Sequence, residues 1–108
     1  MEIEGGNEKK LGVLIYELLG TCILTYTVLV SLNNIYAIVP VYIGLLTICW
    51  KISGGHFNPM LTISVYISQK NFGGNAVLLA MMIAGQFVGT FIGFFWAWLT
   101  LMDKDLVE

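Results

Sequence analysis

The placement of charged residues constrains the fold of this chain more than any other feature of its sequence. Between Lys10 and Lys51 the only charged residue is Glu17, and between Lys70 and Asp103 there is none. A helix needs about 20 mostly apolar residues to cross a membrane, and both stretches supply that length. Charged residues make up 11% of the 108 residues, against about 25% in soluble domains. The sequence therefore predicts an all-α membrane protein.

The apolar stretches divide into three predicted transmembrane helices. These helices cover residues 11–32, 35–52 and 76–102. Asn33 and Asn34 separate the first two, because asparagine favours turns. The predicted membrane unit is residues 11–102, with a polar N-terminal tail at residues 1–10 and an acidic C-terminal tail at residues 103–108.

A short irregular segment lies between the second and third predicted spans. Residues 53–59 read Ser-Gly-Gly-His-Phe-Asn-Pro. Asn58 is a strong helix N-cap, and Pro59 suits the first position of a helix. The helix predicted over residues 59–68 is about 15 Å long, half of a ~30 Å hydrocarbon core. It can therefore enter the membrane but not cross it, as a re-entrant half-helix. Residues 69–75, with Lys70 and the adjacent Gly73 and Gly74, are predicted to form the turn that follows it.

Such a half-helix indicates a pathway for a small polar solute. Irregular backbone at membrane depth is tolerated only where protein or a water-filled cavity surrounds it. The Asn58 amide could donate to a passing solute, and Gly54 and Gly55 allow an extended path whose carbonyls face that solute. The alternative is an ordinary interfacial loop before an amphipathic surface helix.

Four further residue types have expected roles in support or packing. A carboxylate within a span is normally buried against a partner, and the N–H groups of the loop are such partners for Glu17. His56 is expected to bond to neighbouring backbone rather than to relay protons, and Gln86 to bond across helices. Three glycines at four-residue spacing on the third span form a flat groove for another helix, either the chain's own first span or a neighbouring subunit. They are Gly85, Gly89 and Gly93.

Lysine positions predict the orientation of the spans, because the chain has no arginine. With three spans, all lysines except Lys104 fall on one side of the membrane. The positive-inside rule then places the N-terminus and the loop on the cytoplasmic side, or on the matrix or stromal side of an organelle inner membrane. Trp50, Trp96 and Trp98 lie near span ends, as interfacial aromatic residues do.

Three segments in order along the chain resemble the aquaporin and aquaglyceroporin family. Residues 53–62 resemble its first signature, Ser-Gly-(Gly/Ala)-His-x-Asn-Pro-Ala-Val-Thr. Glu17 with Gly20-Thr21 resembles the first-helix pattern Glu-x-x-Gly-Thr, and Gln86 with Gly89 resembles the third-helix pattern around Ala-Gln-x-x-Gly. The chain is thus similar to the N-terminal half-repeat of that family, and the resemblance implies three spans plus one half-helix.

The resemblance also implies roles for individual residues. Asn58 would be the pore asparagine, and the carbonyls of Gly54, Gly55 and His56 would line the file of water molecules. Glu17 would hold the loop from behind. The expected function is passive transport of water or small neutral solutes, without a cofactor or a bound metal.

The chain departs from the family pattern where the second half of the pore would be. Its two prolines, Pro40 and Pro59, leave no second Asn-Pro motif, and the selectivity-filter arginine is absent. Met60 replaces the small alanine after Asn-Pro, and the position of the second-helix filter aromatic falls near Ile38. Conduction therefore requires a complementary half from another subunit. An antiparallel homodimer needs both orientations, which the lysine distribution disfavours.

The competing hypothesis is a non-conducting accessory subunit of a large membrane complex, docked through the glycine groove. Either function places the chain in a lipid bilayer beside other membrane protein subunits. An enzyme is not expected, because no nucleophile–base pair, metal cluster or phosphate-binding loop is found in the sequence. The small net charge of −2 predicts no nucleic-acid partner.

Overall fold

The computed structural model describes the backbone of residues 7–107 and the side chains of residues 9–103. Over this range the chain forms helices and no strands. Residues 1–6 and 108 of the two predicted tails lie outside the described range. The helices are α1 (Asn7–Val30), α2 (Ile35–Cys49), α3 (Pro59–Gln69) and α4 (Phe72–Val107).

Two of these helices are long and apolar enough to cross a membrane. They are the segments Lys9–Val30 of α1 and Phe72–Asp103 of α4. The second predicted span, α2, has 15 residues, about 22 Å at 1.5 Å per residue and therefore shorter than a ~30 Å hydrocarbon core. Helix length alone thus does not confirm three spans.

Helix-type hydrogen bonds continue beyond the last residue of α2. The Trp50 N–H donates to the Leu46 carbonyl at 2.9 Å, and the Ser53 N–H donates to the Cys49 carbonyl at 2.9 Å. At its other end, Asn34 caps α2 by accepting from the Tyr36 N–H at 3.0 Å. The ladder of bonds past Cys49 lengthens α2 toward the predicted end at residue 52.

The boundary between α3 and α4 differs from the prediction. A turn was expected from Gln69 to Asn75 because of two adjacent glycines, yet α4 begins at Phe72 and includes both. Lys70 ends α3 in the left-handed conformation, with φ 56°. The Asn75 N–H then donates to the Asn71 carbonyl at 3.0 Å. Lys70 and Asn71 therefore make the whole connection, and glycine is tolerated inside the helix that follows.

Helices α1 and α4 pack closely and run in the same direction. A Cβ placed on Gly85 would lie 2.9 Å from the Leu14 carbonyl oxygen, and one on Gly93 would lie 2.5 Å from the Cys22 carbonyl oxygen. Residue numbers thus rise together along the two helices. Glycine here lets the backbones touch. Helix α1 therefore occupies the groove predicted for Gly85, Gly89 and Gly93, and the expected docking of another subunit through this groove is wrong.

The two shorter helices pack on this pair from different sides. Helix α2 packs against α1 and α3 packs against α4, whereas α2 and α3 do not pack on each other. Because α3 leads directly into α4, it runs back toward the end of the bundle where α1 and α4 begin. An open cleft separates α2 from α3.

Most large apolar side chains point away from the bundle. The fully buried apolar clusters are small: one contains Val13, Leu78 and Met82, and the other contains Leu45, Cys49 and Phe57. Exposed side chains include Leu11, Ile15, Leu19 and Ile23 of α1, and Phe87, Phe91, Phe94 and Trp98 of α4. Contiguous apolar surface of this kind marks contact with lipid or with other proteins.

Candidate functional site

The loop between α2 and α3 depends on backbone conformations that favour glycine. Gly54 and Gly55 have φ values of 85° and 64°, in the left-handed region that glycine adopts at no steric cost. A Cβ on Gly55 would also lie 2.8 Å from the Leu46 side chain. The two adjacent glycines let the chain reverse direction against α2.

Phe57 anchors the loop, a role that the sequence did not indicate. It has φ 53°, an unfavourable conformation for a bulky residue, and its side chain is 5% exposed. Its ring lies directly over Gly20 of α1, where a Cβ would clash with it. It also meets the ring of Tyr42 edge-on, with the centroids 6.4 Å apart. Burial of the ring in this cluster holds the strained backbone in place.

Glu17 is completely buried at 0% exposure and accepts from three donors. Its Oε1 accepts from the His56 N–H at 3.1 Å, and its Oε2 accepts from the Phe57 N–H at 2.8 Å. Oε2 also accepts from Gln86 Nε2 at 2.9 Å. The carboxylate therefore ties together α1, the loop and α4, and it pairs two loop N–H groups that face away from solvent.

Gln86 and Thr62 extend this network into α3. Gln86 Nε2 donates to Thr62 Oγ1 at 2.8 Å in addition to its bond with Glu17. Both amide hydrogens are thus used, which fixes the orientation of the amide group. Both side chains are buried, at 1% and 0% exposure. Gln86 Oε1 has no hydrogen-bond partner among the described residues.

The same hydroxyl determines which nitrogen of His56 carries its proton. Thr62 Oγ1 donates to the Asn58 carbonyl at 3.0 Å, and it lies 3.1 Å from His56 Nδ1. A hydroxyl has a single hydrogen, so the hydrogen of the second contact comes from Nδ1. His56 Nε2 then remains an acceptor. The expected bond from the ring to neighbouring backbone is wrong, because the ring bonds to a side chain of α3.

Asn58 caps α3 and leaves its amide donors available. Its Oδ1 accepts from the Met60 N–H at 2.9 Å, with Pro59 in the first turn. The side chain is exposed, and its Nδ2 has no partner among the described hydrogen bonds. The first turn of α3 therefore presents an amide group and the positive end of a helix dipole.

A cavity of about 570 Å³ lies in the cleft between α2 and α3. Its lining combines the loop with aromatic and aliphatic side chains: Tyr42, Leu46, Trp50, Gly54, Gly55, His56, Leu61 and Val65. Gly54, Gly55 and His56 are thus brought to one cavity. Glu17 and Gln86 lie behind the loop, and Gly85, Gly89 and Gly93 face α1. Among the described side chains, those of residues 9–103, no group of three or more His, Cys, Asp or Glu could hold a metal ion.

Comparison with protein-family models, with curated proteins and with solved structures finds no significant match.

Proposed function

We propose that this chain is an aquaporin-like half-channel of a membrane. It contributes one Asn-Pro half-helix to the passive transport of water or small neutral solutes when a complementary half pairs with it. The observation that carries the proposal is the buried network in which Glu17, Gln86 and Thr62 hold the loop and α3. An irregular loop inside a bilayer needs such partners because no water is present to pair its N–H groups.

Location in a membrane is supported by the surface of the molecule. The two long helices are apolar enough to cross a bilayer, and their outward faces carry aliphatic and aromatic side chains. In water this surface would favour aggregation. In a bilayer the same apolar side chains contact lipid chains, which is energetically favourable.

The parallel packing of α1 and α4 supports three crossings. If both helices cross the membrane in the same direction, the chain between them must return once. Helix α2 with its additional turns through Ser53 is the segment available for that return. The half-helix α3 then enters and leaves on the side where α1 and α4 begin. This topology also places the loop on the side that is rich in lysine.

The chemistry of the cleft favours a neutral solute. Its polar groups include backbone groups of the loop, an acceptor nitrogen of His56, the Tyr42 hydroxyl and the Trp50 indole N–H. The Asn58 amide lies at the tip of α3. These groups can replace the hydrogen bonds of water or of a small alcohol. No cationic or anionic side chain lines the cavity, so an ion would lose its hydration without compensation.

The proposal requires a second half. Helix α3 is 11 residues long, about 16 Å, and Met60 beside its tip is 69% exposed. A single half-helix leaves the far half of a bilayer without a pathway. A partner chain is therefore expected to cover the cleft and the tip of α3.

Permeability of the native assembly tests the proposal. The chain would be purified with its partners in mild detergent and reconstituted in liposomes, and water flow would be followed by light scattering after an osmotic step. We expect shrinkage faster than that of empty liposomes, and Asn58→Asp should abolish the difference. Aspartate at this position keeps the capping oxygen but replaces the amide donors with a negative charge.

Asn34→Asp is the matched control, since Asn34 caps α2 in the same way. That variant should conduct like the wild-type assembly. Permeability of the wild-type assembly equal to that of empty liposomes would contradict the transport function. The chain reconstituted without partners is expected to be inactive.

A structural accessory subunit is the second candidate. Met60 stands at the tip of α3 where the family pattern has alanine, and its larger side chain there would narrow a pathway, which favours a subunit that does not conduct. This function predicts that the chain migrates in a large assembly on native gels, with water permeability no higher than that of lipid alone. A lone small species in mild detergent would exclude it.

A further inference from the structure

A second groove lies between α1 and α4, on the C-terminal side of the α1 residues that contact the loop. It has a volume of about 300 Å³ and is lined by Cys22, Ile23, Tyr26, Trp96 and Thr100. This volume is at the lower end of the range for small-molecule pockets. The groove opens to the outer surface of the bundle, because Ile23 and Trp96 are 46% and 55% exposed.

The polar atoms of this groove have a defined hydrogen-bonding pattern. Thr100 Oγ1 donates to the Trp96 carbonyl at 2.9 Å, which uses its only hydrogen. Tyr26 Oη lies 3.1 Å from Thr100 Oγ1, so the hydrogen between them comes from Tyr26. Both oxygens then have lone pairs left and no hydrogen to give. The pair is an acceptor site within largely apolar walls.

We infer that this groove binds a neutral lipid through a hydroxyl group that donates to the Tyr26–Thr100 pair. The apolar part of the ligand would lie against Ile23 and Trp96. A ligand able only to accept would face lone pairs and gain nothing from the pair. A charged headgroup would lose hydration beside apolar side chains. The inference depends on a lipid environment but not on solute transport by the loop.

The test uses the full chain in detergent micelles with Trp96 as the only tryptophan, through Trp50→Phe and Trp98→Phe. The probes are a long-chain alcohol brominated at mid-chain and its methyl ether, which accepts but cannot donate. Bromine quenches the fluorescence of a nearby indole. We expect half-maximal quenching by the alcohol at a concentration about two- to tenfold lower than by the ether, the range for one net hydrogen bond.

The double variant Tyr26→Phe/Thr100→Val keeps the shape of the groove and removes its acceptors. Both probes should quench the Trp96 fluorescence of this double variant equally. In the control Thr47→Val the alcohol should still quench at a lower concentration than the ether. Thr47 is exposed on α2 and bonds to its own helix as Thr100 does. Equal quenching of the wild-type groove by both probes would overturn the inference, and so would a preference that survives in the double variant. Neither result bears on water permeability, so the two proposals fail separately.

Discussion

At the level of single residues, the hydroxyl of Thr62 connects the parts of the site. It accepts from Gln86 of α4 and from His56 of the loop, and it donates to the Asn58 carbonyl. The contact between Glu17 and the loop could be predicted from the sequence, because a carboxylate in an apolar segment is costly unless it is buried against a partner. Thr62 received no role, because a threonine in an apolar helix ordinarily bonds back to its own helix. The sequence contains no spacing that distinguishes a threonine bonded only to its own helix from one that also bonds to neighbouring elements.

Removing that hydroxyl should destabilise the fold more than its size suggests. Thr62→Val leaves one hydrogen of the buried Gln86 Nε2 without an acceptor, and it removes the partner of Nδ1 of the half-buried His56. We expect a loss of about 2–4 kcal/mol in the free energy of unfolding, since each unpaired buried group costs about 1–3 kcal/mol. Unfolding in detergent by increasing denaturant measures it.

Thr62→Ser keeps the hydroxyl and should recover most of the loss. The exposed control Thr47→Val should change the free energy of unfolding by less than about 0.5 kcal/mol. Equal effects for Thr62→Val and Thr62→Ser would mean that packing of the methyl group, and not the network, determines stability.

At the level of helices, some glycines of α4 pack against α1 and others do not. Their spacing in the sequence predicts the first group but not the position of the second. The four-residue spacing of Gly85, Gly89 and Gly93 predicted a groove, and α1 fills it. Gly73 and Gly74 were interpreted as part of a turn, yet they lie inside α4. That prediction was wrong because glycine weakens a helix by only about 1 kcal/mol, and Lys70 already supplies the turn.

This difference predicts opposite results for one substitution at two positions. A Cβ on Gly89 would collide with the Leu18 carbonyl oxygen of α1, whereas one on Gly73 meets nothing within 4 Å. Gly89→Ala should lower the free energy of unfolding by about 1–3 kcal/mol, because the backbones must separate. Gly73→Ala should raise it by up to about 1 kcal/mol through helix propensity. Stability of both variants above that of the wild type would contradict the close packing of α1 on α4.

At the level of the whole molecule, parallel packing links the fold to its proposed orientation. Apolar segments and their order could be predicted from the sequence, because charge placement limits where helices can cross. The position of the loop along α1 could not, because it depends on which α1 residues face Phe57. Gly20 and Glu17 decide that position through one close contact and one buried carboxylate.

Labelling with a membrane-impermeant thiol reagent tests the three-crossing topology. In a variant without Cys22 and Cys49, Asn71→Cys should react from the same side as Lys51→Cys. Asn33→Cys should react from the opposite side. Reaction of Asn33→Cys and Asn71→Cys from one side would contradict the topology. Half-reaction of every variant from each side would instead indicate the two orientations that an antiparallel homodimer needs.

The Glu17 network also bears on the order in which the protein is made. The two loop donors of Glu17 lie 39 and 40 residues later in the chain, and Gln86 lies 69 residues later. At translation rates of about 5–20 residues per second, Gln86 follows Glu17 by roughly 3–14 seconds. If α1 inserts into a bilayer as proposed, its carboxyl group enters before its partners exist. Insertion of α1 alone is then expected to be less favourable than insertion together with the loop and α4.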